Sequence, residues 1–460
     1  MLFLAATAAN ADSITQLDQD YWQWRALEQP FTGDDIPRIE RPIGFVVDWS
    51  SDTVAARITD VEAFQVRWRA LAPAASAAVG QQVDYRLVGS AIARAHWELS
   101  VEEGWRRNPI FYIDQTLGSV YELLLQPPPF DERRQSEIVA RIKQIPHTIA
   151  SAERNLTDMR QPFAQTAIDS LDGARDKAER VQDSLGAEFS AAHRRAMNKA
   201  MPKAIKALEQ YRAWLQERLA ELPRETAIGR DKYETFLRTV ALLPYSPEQL
   251  LALGRQEWAR SMAFEAYAQA RLKGKDAPPV FADSDAEIAA ERADEERIRQ
   301  FLGDAGILTV PAELLHYLNL PMPAYLEAWQ ELGVVDDFTG PSRLDQDSIS
   351  YIPPPSPDLG FFNLSRAQDP RPIIVHEGIP GHWFQLSLGW RNSNPIRRHY
   401  YDSSANEGIG FYAEEMMLQA GLFDDNAHTR ATLYRLMRLR ALRVEVDVKL
   451  ALGEFTLAQA

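Results

Sequence analysis

No cysteine occurs anywhere in this chain. That excludes disulfides, thiol nucleophiles and cysteine-ligated zinc, and leaves imidazole and carboxylate as the strong metal ligands. It does not fix the compartment, since reducing and oxidising environments both tolerate cysteine-free proteins. A cationic excess is also missing: 50 Lys and Arg face 65 Asp and Glu, for a net charge of −15. Nucleic acid and anionic membrane surfaces are therefore poor partners, because phosphate binding needs clustered cations. No segment approaches the ~20 apolar residues that a helix needs to span a bilayer. What remains is 460 residues with 45% hydrophobic and 25% charged content, the composition of an ordinary globular protein with a large core.

Chemistry concentrates in one stretch, Ile373-Ile374-Val375-His376-Glu377-Gly378-Ile379-Pro380-Gly381-His382-Trp383-Phe384-Gln385. Neutral imidazole is a good zinc ligand, and a neighbouring Glu can take a proton from metal-activated water. In His-Glu-x-x-His the imidazoles sit four apart, about 40° round a helix, and face one ion. His382 follows His376 by six residues, which a continuous helix would turn roughly 240° away. Pro380 lacks an N–H and clashes with the carbonyl four residues back, while Gly378 and Gly381 permit unusual backbone angles. The pattern predicts a helix that bulges or breaks there and returns His382 to the face of His376. A Gly-Pro-Gly turn between core helices with ordinary histidines is the bland alternative.

A third ligand stands downstream. Glu407 to Met417 reads as the start of a helix capped by Ser403, Ser404 or Asn406. Glu407 and Glu414 share its face, seven residues apart. Glu407 is the expected ligand because catalytic zinc commonly takes two His and one Glu and keeps a place for water. Glu414 is the alternative ligand or an acid that orients one imidazole. Glu415 is expected in solvent.

The rest of the chain reads as support. Helices are expected at Ser13 to Trp24, Asp60 to Leu71, Gln82 to Glu102, Glu132 to Arg160, Phe163 to Leu185, Phe189 to Leu222, Asp231 to Leu242, Pro247 to Lys273, Ala286 to Leu302 and Thr429 to Leu452. Ser246-Pro247-Glu248-Gln249 carries a capping box with Pro at the first helical position. His316 is expected to be structural. Phe361 to Leu364 reads either as a short strand offering an edge to an extended peptide or as a plain loop. Arg443 and Asp447 are spaced to pair. Arg440, Arg443, Tyr434, His399, Tyr400 and Tyr401 are candidates for holding a substrate carboxylate or an oxyanion, with Tyr412 beside the site. Leu2 to Ala11, ending Ala9-Asn10-Ala11, resembles the end of a secretory signal. The organisation expected is a leader remnant at 1–11 and one mainly α-helical domain at 12–460. Within it, residues 12–345 form a helical scaffold and 346–460 the metal-site region, enclosing a deep cleft with few short strands. A periplasmic or secreted location follows, the cytoplasm being the alternative.

These residues resemble a known group. His376-Glu377-Gly378-Ile379-Pro380-Gly381-His382, followed by Glu407-Gly408 and Tyr412-Ala413-Glu414, is similar to the bacterial "domain of unknown function 885" family, relatives of gluzincin-type zinc metallopeptidases. Tyr351-Ile352-Pro353-Pro354-Pro355, Gly360-Phe361-Phe362-Asn363-Leu364, Asp20-Tyr21-Trp22-Gln23-Trp24, Ser246-Pro247-Glu248-Gln249-Leu250 and Leu253-Gly254 extend the likeness over nearly the whole chain. The resemblance implies His376, His382 and Glu407 as ligands of one Zn2+ and Glu377 as general base. Departures are Ile409 where the family usually has Trp, Trp383 where a second His is frequent, and Ala451 near a frequent His; family members also run on beyond Ala460. The function expected is hydrolysis of peptide bonds by metal-activated water. A hydrolase of non-peptide amides or esters and a catalytically inactive helical binding protein are the alternatives.

Overall fold

Serine caps set the first helices: α1 (Ile14–Glu28) begins where Ser13 accepts from the Gln16 amide, and α2 (Ser51–Ala70) where Ser50 accepts from Thr53. The computed structural model describes residues 13–32, 39–399 and 403–460, so the Ala9-Asn10-Ala11 pattern lies outside the described residues. α3 (Val79–His96) runs into a π-helical turn at Trp97–Glu102. α4 (Glu132–Asn155), α5 (Gln161–Ser170), α6 (Ala174–Glu188) and α7 (Ala191–Arg218) follow, so the single helix expected over Phe163 to Leu185 is two. α8 (Pro247–Leu272) carries the complete Ser246–Gln249 capping box, and α9 (Ser284–Asp304) starts on Asp283. The architecture is mainly α, at 68% helix and 3% strand.

One small sheet interrupts the helices. β1 (Tyr317–Pro321), β2 (Asp336–Asp337) and β3 (Ser348–Ile352) run in the order β1-β3-β2. β1 is parallel to β3, with Tyr317 opposite Ser348, and β2 is antiparallel, with Asp337 opposite Ile349. β3 is central and buried along its length. The strand or loop expected at Phe361 to Leu364 is instead the opening of α10 (Phe361–Gln368), whose first turn closes through Leu364 N–H to Gly360 O at 2.8 Å. Four apolar residues are too few to separate a period of two from one of 3.6, and no peptide-pairing edge exists there.

α11 (His382–Trp390), α12 (Ser403–Ala420) and α13 (Ala427–Leu452) complete the chain. α13 lies along α8, tied by Arg435 and Arg438 to Glu265. Asp447 accepts from Tyr233 at 2.6 Å rather than pairing with Arg443. One apolar cluster joins α1–α7 to Trp329 and Tyr351. A second gathers Ile298, Leu302, Tyr317, Ile374, Val375, Trp383, Met417 and Leu433. Each such side chain contributes roughly 1.5–3 kcal/mol on burial, and this second core clamps the segments that carry the histidines and Glu407. Among the described residues, no helix is long and apolar enough to cross a membrane.

Candidate metal centre

The predicted interruption is present, and it begins with a widened turn. Residues Ile374–Gly378 form a π-helical turn closed by Ile379 N–H to Ile374 O at 2.9 Å. Pro380 has no N–H to continue it. At Gly381 the backbone folds back over the preceding turn so closely that a Cβ would lie 1.8 Å from the carbonyl oxygen of His376. Only glycine fits, and α11 starts at the next residue. The six-residue spacing is thereby closed: the rings of His376 and His382 lie with centroids 4.6 Å apart at 76°.

Ligand atoms of His376, Glu377 and His382 all lie within 4.8 Å of one another. Glu407, on the second turn of α12, brings Oε2 to 3.7 Å from His376 Nε2 and Oε1 to 3.7 Å from His382 Nε2. Glu377 Oε2 is 3.9 Å from His382 Nε2. Glu414 sits on the far side of His376, accepting from Nδ1 at 2.7 Å. Both of its oxygens are also gripped by Arg440, through Nη2 at 2.7 Å and through Nη1. The two candidate acids are thus distinguished: Glu407 faces both Nε2 atoms, and Glu414 orients one ring from behind.

Electrostatics mark the spot as one that favours positive charge. Burial opposes protonation of His376, yet the Glu407 and Glu414 carboxylates outweigh it and raise its pKa to about 10. His382, buried and beside the charge of His376, is pushed down to about 4, which leaves its imidazole neutral. The Asn406 backbone, which would favour its protonated form, offsets this only in part. Glu377 is raised to about 7, by burial first and by the Asp336 and Glu407 charges, with His376 opposing. Glu407 is lowered, chiefly by the His376 imidazole 3.7 Å away, with the His382 and Arg443 charges adding and burial opposing.

These residues fit a zinc ion. Two donors ~2.0–2.2 Å from one tetrahedral ion stand about 3.5 Å apart, and each imidazole Nε2 stands 3.7 Å from its own oxygen of Glu407, Oε2 for His376 and Oε1 for His382, so the carboxylate faces the space between the rings with both oxygens. The space between the rings is kept clear by Gly410, where a Cβ would lie 2.7 Å from His376 Cε1 and 2.8 Å from His382 Cε1. The centre opens into a cavity of about 230 Å³, lined among others by Arg366, Phe411, Leu436, Arg440 and Arg443.

Of the other sequence candidates, Arg440 and Arg443 line this cavity and three do not. His399 stacks on Trp22 of α1, 3.7 Å from Asp18. Tyr434 is buried against Phe264, and Tyr412 is 64% exposed on the outer side of α12. Tyr400 and Tyr401 lie outside the described residues. His316 pairs with Glu295 at 2.9 Å, a structural contact as expected.

Sequence reasoning missed Gly410 and the polar layer behind Glu377. A glycine in a helix interior costs about 1 kcal/mol relative to alanine and so signals a packing or functional need. The layer has no local signal, being assembled from distant elements: Tyr317 donates to Asp336 at 3.0 Å, and Arg366 donates to Glu291 at 2.7 Å and to Asn319.

The sequence profile of a family described as "Bacterial protein of unknown function (DUF885)" matches residues 44–460. No curated protein matches the chain. Two solved structures share the fold. A candidate lipoprotein of unknown function from Shewanella oneidensis has a TM-score of 0.68 at 18% identity, covering 98% of this chain and 85% of its own. A candidate lipoprotein from Colwellia psychrerythraea has a TM-score of 0.70 at 14% identity, covering 97% and 85%.

Proposed function

The chain belongs to this bacterial family of unknown function, and from that premise we propose that it is a zinc-dependent, metallopeptidase-like hydrolase of peptide (amide) bonds. The observation that supports this most is the convergence of His376, His382 and Glu407 around a space that Gly410 leaves empty, with Glu377 at its edge. His376, His382 and Glu407 would hold one Zn2+. When bound, the ion supplies Lewis acidity that lowers the pKa of water and polarises a carbonyl.

Glu377 does the proton work. With its pKa raised to about 7, it is poised near neutral pH both to accept a proton and to release it. It takes the proton of water at its carboxylate as the oxygen adds to the carbonyl carbon. It then delivers that proton to the departing nitrogen as the C–N bond breaks, giving an acid and an amine. Glu414, clamped by Arg440, holds His376 with Nε2 toward the centre. Phe411 and Leu436 in the cavity wall limit bulk water. An extracytoplasmic location is part of the same reading, in keeping with the candidate lipoproteins of this fold and the Ala9-Asn10-Ala11 pattern.

The test is Glu377→Gln against wild type on a mixed peptide digest read by mass spectrometry, with zinc measured by elemental analysis. The variant should keep one zinc and lose at least on the order of 100-fold in rate. A wild type that holds zinc and cleaves nothing is a binding protein with this fold, and the hydrolase reading fails.

A further inference from the structure

We propose that the substrate of this centre is a peptide with a free C-terminal carboxylate, held by Arg443, so that cleavage works inward from a chain end. This rests on the hydrolase reading above. Three arginines line the cavity. Arg366 is occupied by Glu291 and Asn319, and Arg440 by both oxygens of Glu414. Arg443 has no hydrogen-bond or ion-pair partner among the described residues, and it is exposed. It is not there by accident of helix phase: Leu436, Arg440 and Arg443 are spaced by four and three, which puts them on one stripe of α13 facing the same cavity.

The protein's own carboxylates at this wall are already engaged. Glu414 serves His376 and Arg440, Glu407 faces both Nε2 atoms, and Glu377 is the base. Arg443 adds to the lowering of the Glu407 pKa through its charge but is bonded to no carboxylate among the described residues, so its guanidinium is free to pair with an anion that the ligand brings. A guanidinium presents a planar fork that matches a carboxylate with two parallel hydrogen bonds. Beside the polar Ser365, Asp369 and Thr432, the wall carries an apolar patch of Phe411, Leu436, Leu439 and the 62% exposed Phe362. That suits an apolar or aromatic terminal side chain. The volume of about 230 Å³ falls below the ~300–1,000 Å³ of drug-sized sites. It accommodates the end of a chain better than a long internal segment. A role for Arg443 in stabilising an oxyanion makes a different prediction, since it would serve acid and amide substrates alike.

The experiment uses two peptide pools of identical sequence, one ending in free acids and one in amides, incubated with the zinc-loaded full chain. The acids should be shortened from the C-terminus at least on the order of tenfold faster, as expected for one charge-assisted bidentate contact. Arg443→Met should abolish that preference while keeping one zinc, Arg443→Lys should retain part of it, and Arg430→Met, on the same helix as Arg443 but paired with Asp424 in the turn before that helix, should keep it whole. A second arm reads binding without turnover: zinc-loaded Glu377→Gln titrated calorimetrically with hippuryl-phenylalanine and its amide should favour the acid, and the double variant with Arg443→Met should not. Equal cleavage of both pools overturns the carboxylate assignment and leaves the hydrolase standing. If neither pool is cleaved the hydrolase reading falls, and equal affinity for acid and amide in the calorimetric arm then rejects Arg443 as a carboxylate receptor as well.

Discussion

Replacing Gly410 with alanine places one methyl group where the two imidazoles meet. The new carbon would stand 2.7 Å from His376 Cε1, 2.8 Å from His382 Cε1 and 2.9 Å from His376 Nε2. Favourable contacts between such atoms lie at ~3.5–4.0 Å, so the rings must retreat by roughly 0.7 Å. Metal bonds tolerate about 0.2 Å. Zinc affinity should therefore fall by at least about 100-fold, the upper end of what altering a supporting residue does. The metal-free fold should survive: alanine gains about 1 kcal/mol in a helix interior, and overpacking costs about 1–3 kcal/mol. Gly408→Ala is the matched control, since nothing lies within 4 Å of its added Cβ. It should be stabilising by up to about 1 kcal/mol and keep the metal. Zinc remaining after dialysis against a graded chelator, with thermal melts in EDTA, reads both quantities. If Gly410→Ala holds zinc as wild type does, the ion does not sit between these rings.

Three further outcomes follow from the same geometry. His382→Ala should lose stoichiometric zinc while His316→Ala, altered at its Glu295 contact, should retain it, and the reverse pattern in elemental analysis rejects the ligand set. Glu414→Gln should weaken zinc binding by about 10–100-fold in chelator competition; an unchanged constant would mean that His376 needs no support from behind. Glu287 gives a pH dependence away from the centre. It is 2% exposed on α9, one of its oxygens has no partner, and burial followed by the Glu291 charge raises its pKa to about 7. The folded state then holds a proton that the unfolded state releases near pH 4.5, so stability falls as pH rises from about 4.5 through 7 and stays lost above, by roughly 3 kcal/mol at most. Glu287→Gln should be more stable than wild type at pH 8 and lose that advantage at pH 5 in denaturant titrations; a difference independent of pH would contradict this.

Much of this protein is written locally. Apolar residues at three and four spacing announce the long helices, and Ser246 with Gln249 announces the start of α8 to the residue. The broken helix between His376 and His382 follows from the missing N–H of Pro380 and the freedom of Gly381. Phe361 to Leu364 defeats the same reasoning because a run of four cannot reveal its period, and His399 and Tyr434, expected to turn toward a polar cavity from the last helix and the loop before it, pack instead on Trp22 and Phe264, since sequence does not fix which neighbour a side chain meets.

That two imidazoles and a carboxylate fall within seven residues, and that a helix must break between the histidines, were thus settled by composition and spacing, since covalent order and backbone sterics act over a few residues. Which acid faces both imidazoles and which stands behind, why position 410 has no side chain, and which arginine is left free were decided only when α12 and α13 packed across the π turn. Those are questions of distance between segments far apart in the chain, and distance of that kind is set by how the cores fill, not by any local pattern.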